Sequence, residues 1–75
     1  MKKLNELEIG EEAVVMKILA ENRRLMDLGL VVGTRIKCLF KSPLGDPVAY
    51  RVRGAVIAIR KEDGQKIETE VLYDD

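Results

Sequence analysis

From Arg35 onward the chain alternates: Ile36, Cys38 and Phe40 are apolar, Arg35, Lys37 and Lys41 are charged, and Leu39 is the one apolar residue of the second set. A period of two marks a strand with one buried face, so 35–41 is expected to pair, with Ile36, Cys38 and Phe40 inward. The same period recurs where Val14, Met16 and Ile18 alternate with Ala13, Val15 and Lys17, again at Val48, Tyr50 and Val52, and a last time at Ile67, Thr69 and Val71. Residues 55–59 read Ala-Val-Ile-Ala-Ile, apolar on both faces, and predict the most buried strand of the five.

Residues 23–34 break this rhythm. Leu25 and Leu28 are three apart while Arg23, Arg24 and Asp27 take the other faces, which predicts a short amphipathic helix with both leucines in the core and Asn22 as its N-cap. Gly29 follows the last periodic leucine, where a left-handed residue lets the loose carbonyls of the final turn be bonded without a Cβ penalty. Leu30 and Leu25 are then the apolar pair expected to meet across a Schellman ending. The next four residues, Val31, Val32, Gly33 and Thr34, put glycine third, as a type II turn requires.

The connections follow the same logic. Two prolines and a glycine in 42–47 make that stretch a loop, Arg53-Gly54 allows a tight hairpin reversal, and 61–65 is a charged helical turn or loop. Leu4 and Leu7 precede an acidic turn at residues 10–12 and are expected to close the open end of the core; residues 72–75 are expected to fray. Only one segment has helical period, so a ferredoxin-like fold, which needs two crossover helices, is set aside. The expected fold is all-β with one short helix, a small five-stranded SH3-like barrel, closed or nearly closed so that its edges are not left open.

With 75 residues there is room for a single domain, 1–75, and a chain of this size buries only about 60% of its unfolded surface. No apolar run approaches the roughly 20 residues of a membrane span, and Met1-Lys2-Lys3 leads into Leu4-Asn5-Glu6 rather than an apolar stretch, so a cytosolic location is expected. The single cysteine, Cys38, has no internal partner and falls in the apolar set of its strand, where it is expected to be buried and inert. Net charge is zero but uneven: residues 21–60 hold eight Lys/Arg against three Asp/Glu, and the two ends hold five against ten.

Catalytic chemistry is hard to assemble from this composition. Without histidine there is no Ser-His, Cys-His or His-metal arrangement, and neither a phosphate-cradling glycine motif nor an EF-hand spacing occurs. No enzyme activity, catalytic residue, metal ligand or cofactor is therefore expected, and function is assigned to surface recognition. One Phe, expected inward, two Tyr and no Trp argue against proline-rich peptide capture and against stacking of single-stranded nucleic acid.

The order of elements resembles a known family. Leu4-Asn5-Glu6-Leu7 with Gly10, then Arg24-Leu25 with Leu28-Gly29 and Gly33, then Gly45-Asp46-Pro47, then Gly54 with Ile57-Ala58-Ile59-Arg60 and Ile67, is similar over almost the whole chain to the FeoA family, small cytosolic components of bacterial ferrous-iron uptake. This chain departs from the family at Val32, where proline is common, at Asp63-Gly64, where Asp-Ala is usual, and at Thr69, where valine is usual.

The resemblance implies an SH3-like barrel that assists or regulates the membrane ferrous-iron permease FeoB, whose cytosolic part is a G-protein-like GTPase domain. It implies no small-molecule substrate and contact with the membrane only through the permease. For the contact itself Leu30, Val31 and Val32 are three consecutive apolar residues at a helix–turn junction, and with Leu44, Arg23 and Arg24 they would make an apolar patch with a basic rim. Four alternatives remain at this stage: nucleic-acid binding through the basic middle, kinship with the C-terminal domain of metal-dependent repressors, peptide capture at a barrel edge, which the scarcity of aromatics disfavours, and, ranked last, direct iron binding.

Overall fold

The computed structural model describes residues 1–19 and 23–73. Six strands form one antiparallel sheet: β1 (Lys2–Lys3), β2 (Glu12–Ile18), β3 (Arg35–Lys41), β4 (Val48–Val52), β5 (Ala55–Ile59) and β6 (Ile67–Leu72), in the spatial order β1-β6-β2-β3-β4-β5. Five are the expected strands and the sixth is the two-residue β1, which pairs Lys2 with Thr69 and Lys3 with Glu68. The sheet coils around its core, yet β1 and β5 at its two ends are not bonded to each other, so complete closure is not found. The helices are short: α1 covers Arg23–Asp27, α2 covers Lys61–Gly64, and a single 3-10 turn spans Leu4–Glu6. The Asn22 cap expected for α1 lies outside the described residues.

The core fills the concave side. Leu4 and Leu7 close one end as anticipated, Tyr50 sends its hydroxyl to the Leu4 carbonyl at 3.2 Å, and Val15, Ile36, Val48, Val52, Ile59 and Ile67 interlock behind them. Cys38 is fully buried, and burial pushes its thiol pKa up, away from the reactive thiolate.

Several sequence expectations change for one physical reason, the β-bulge. In β2 the register with β6 slips between Val15 and Lys17, so Ala13 and Val15 face the core before the slip and Ile18 packs against it afterwards, while Met16 turns outward. In β3 the register with β4 passes from Cys38 opposite Tyr50 to Phe40 opposite Ala49, leaving Leu39 as the extra residue. An extra residue inverts the alternation, so Phe40 is not inward as its spacing suggested but outward and 57% exposed, and Leu39 is half-buried.

Residues 55–59 are also not the most buried strand. β5 is the edge strand beyond β4, with Ile59 buried and Ile57 half-buried on the inner side, while Ala55, Val56 and Ala58 are exposed. An apolar run is buried on both faces only where a second layer covers the sheet. The β4–β5 reversal is the tight hairpin expected, with both Arg53 and Gly54 at positive φ as a type I′ turn demands.

Candidate functional site

The junction singled out by the sequence forms by the expected local chemistry. Gly29 has φ +91°, its N–H donates to the Met26 carbonyl at 2.9 Å, and the Leu30 N–H donates to the Leu25 carbonyl at 3.0 Å, the two bonds of a Schellman ending. Leu25 and Leu30 are the buried pair across it. Leu28, expected in the core, is instead 39% exposed: α1 is only five residues long, the chain reverses at Gly29, and Leu30 takes the inward place. The turn follows at once, with the Thr34 N–H donating to the Val31 carbonyl at 3.1 Å and Gly33 at φ +93°. Thr34 fastens it by donating its hydroxyl to the Gly29 carbonyl at 3.1 Å.

Two further contacts fix this unit on the sheet. The Gly33 N–H donates to the Val15 carbonyl at 2.7 Å, and the Arg24 guanidinium meets the Asp63 carboxylate of α2 at 2.6 Å. Asp63 is buried while Arg24 is largely exposed, so the pair ties the two helices together with one side in water. A Cβ placed on Gly29 would stand 3.1 Å from Arg53 Cδ, which seats α1 against the tip of the β4–β5 hairpin.

The six residues expected to form one patch are thereby separated. Arg23 and Val32 are exposed, the latter by 63%, Val31 is half-buried, and Arg24 is exposed but engaged with Asp63. Leu30, at 0% exposure, is core and drops out of any contact surface, because the cap turns it inward. Leu44 is 94% exposed but sits in the 42–47 loop beyond the Lys41–Val48 end of the β3–β4 ladder, whereas Val32 precedes the Ile36–Val52 end. At about 3.3 Å per residue β3 holds the two roughly 20 Å apart, so Leu44 is not part of the same patch. Exposed Met26 on α1 and Leu28 just after it take its place as apolar neighbours in sequence of Val32.

Elsewhere, two shallow grooves of about 480 and 410 Å³ share Val71 of β6 and Tyr73 just beyond its end. The first is also lined by Met1, Lys2 and Glu70, the second by Ile9, Glu11, Glu12 and Lys37 among others. Lys2 bridges to Glu11 at 3.1 Å across this region. The Glu8 backbone N–H, and after it Lys2, hold the Glu11 carboxyl below its ordinary value, and Glu11 in turn raises the Lys2 ammonium. Among the described residues no three His, Cys, Asp or Glu side chains come together as metal ligands would.

Comparison with known proteins agrees with this architecture. Residues 2–71 match the family model described as the FeoA domain. A FeoA-like protein from Clostridium acetobutylicum is 41% identical, with a TM-score of 0.87 covering 100% of this chain and 94% of that one. Stenotrophomonas maltophilia FeoA, solved in complex with zinc and described as a procaryotic SH3 domain protein, is 26% identical with a TM-score of 0.79, covering 93% of this chain and 91% of that one. A fusion of Fe(2+) transport protein A with the Fe(2+) transporter FeoB, from Porphyromonas gingivalis, is 34% identical in an alignment of 73 residues that covers 93% of this chain but only 9% of the fusion protein. On the matched family model and these likenesses, the chain belongs to the FeoA family.

Proposed function

We propose that this chain is a non-enzymatic accessory protein of ferrous-iron transport that works on the cytosolic side by binding a FeoB-type permease. The observation that carries this reading is the Porphyromonas gingivalis fusion, in which a homologous domain and a FeoB transporter share one polypeptide. Fusion raises the effective concentration of two modules toward the millimolar range, an arrangement of use to modules that touch. A helix end fastened by the Schellman bonds and the Thr34 hydroxyl offers a fixed shape for a partner to recognise. No described helix is long and apolar enough to cross a membrane, so a role in transport would be exercised through the permease.

The contact face in this reading is the α1–turn unit: Val32 and Val31 at the turn, with Arg23 and Arg24 supplying the basic rim. Val32 is the residue to perturb, because its side chain is exposed and it sits in the turn directly before Gly33. Val32→Asp is expected to weaken binding to the permease's cytosolic region in a pull-down and by calorimetry, while the circular dichroism spectrum stays native. Unchanged binding by a folded Val32→Asp protein removes this face from the proposal.

A further inference from the structure

The outer face of the β3–β4–β5 sheet carries a surface that neither the permease reading nor the family match uses. Phe40, Ala49 and Ala58 lie opposite one another across the three strands, and the neighbouring outward row is Lys37, Arg51 and Val56. Phe40 and Val56 are each 57% exposed. The inner face of the same strands holds the core, and α1 seats there beside Val52, so this surface lies on the opposite side of the sheet from α1.

The edge beside it is open as well. The two-residue turn makes Val52–Ala55, Tyr50–Ile57 and Val48–Ile59 the hydrogen-bonded pairs of the hairpin. The N–H and C=O groups of Val56 and Ala58 therefore point away from β4, along a side of β5 that no other strand flanks among the described residues. Charge selects what can settle there. Residues 35–61 contain seven Lys/Arg and one Asp, and that carboxylate, Asp46, accepts the Lys61 backbone N–H at 3.0 Å. Arg53 and Arg60 stand just beyond the two ends of β5. Two copies pairing edge to edge in antiparallel fashion would bring Arg53 of each beside Arg60 of the other, so the edge repels its own kind.

We propose that the open edge of β5 is a strand-addition site for an extended segment of a partner protein, one with small or β-branched residues at its centre and carboxylates at its ends. Backbone bonds to Val56 and Ala58 hold the segment, alternate side chains pack beside the outward side chains of Val56 and Ala58, and the terminal carboxylates meet Arg53, Arg60 and Arg51. Strand addition needs no aromatic groove, which removes the objection raised by the chain's low aromatic content.

The test uses the intact chain and a blocked nine-residue peptide with alternating valine and threonine at its centre and two glutamates at each end. In a nuclear magnetic resonance titration the Val56 and Ala58 amides are expected to shift and to gain protection from hydrogen exchange. Replacing the glutamates by lysines, or introducing Arg51→Glu in the protein, is expected to weaken binding by about tenfold or more. A peptide N-methylated at alternate residues keeps its side chains but loses the ladder bonds, and it should not bind. Absence of saturable binding, binding indifferent to N-methylation, shifts centred on Val32 instead of Val56, or a dimer forming through β5 each overturn the proposal, whatever becomes of the permease contact.

Discussion

Tyr50→Phe is a sharp probe of how this small core is held. The ring is 1% exposed at the centre of β4, and its hydroxyl reaches 3.2 Å to the Leu4 carbonyl, bridging 46 residues of sequence. Phenylalanine keeps the ring and deletes the bond. The Leu4 carbonyl also accepts the Leu7 N–H at 3.2 Å, so it is not orphaned, and the loss should be the net worth of one hydrogen bond, about 1 kcal/mol, rather than the full desolvation penalty. For a domain of this size that is a fall in Tm of about 4–8 °C. Thermal and urea unfolding followed by far-ultraviolet circular dichroism measure it. A variant as stable as the parent, or one weakened by about 3 kcal/mol or more, a cavity-sized loss, would refute the assignment of the energy to this bond. The same group gives a pH signature. Burial, followed by the charges of Cys38 and Asp46, raises the phenol pKa above its ordinary 10.0. A raised folded-state pKa means that the stabilisation is complete below the unfolded value and is lost as pH rises beyond it. The parent protein should lose stability as pH climbs from about 9 to 11, and Tyr50→Phe should lose less.

Gly33→Ala meets nothing within 4 Å of its new methyl, so its cost is the φ +93° backbone alone, about 1–2 kcal/mol, read as a lower urea midpoint at unchanged slope. Arg24→Met leaves buried Asp63 without its α1 partner and is expected to cost about 1 kcal/mol, discounted for the exposure of the arginine, with the difference narrowing at high salt. Glu11→Gln should flatten the acid limb of the stability profile: a carboxyl held below its ordinary 4.5 stabilises the fold above that pH and releases the stabilisation as pH falls, which acid titration of both proteins will compare.

Much of the fold is written locally. The Schellman ending at Gly29, the turn at Gly33 and the Arg53-Gly54 hairpin each depend on two or three adjacent residues, and each forms where the sequence put it. The strands were likewise visible in the period-two runs. What period alone could not convey was phase. Phe40 and Ile18 sit where unbroken alternation predicts one face, and the bulges before them in β3 and β2 place them on the other. Position within the sheet was equally hidden, since Ala-Val-Ile-Ala-Ile reads as central and becomes an edge because β6 pairs with β2 instead. The candidate site suffered from the same blindness. Val32 could be marked as exposed from its place in a turn, but Leu44 was grouped with it on composition, and only the ladder register shows that the two occupy opposite ends of β3 and β4.

Leu39 illustrates how the outside of such a protein can be edited. One surplus residue decides whether a phenyl ring is spent on the interior or shown to passers-by, and losing it would draw the ring through the sheet without altering the identity of any neighbour. In a sheet this small, length changes of a single codon within a strand can therefore redraw a recognition surface as thoroughly as substitution does.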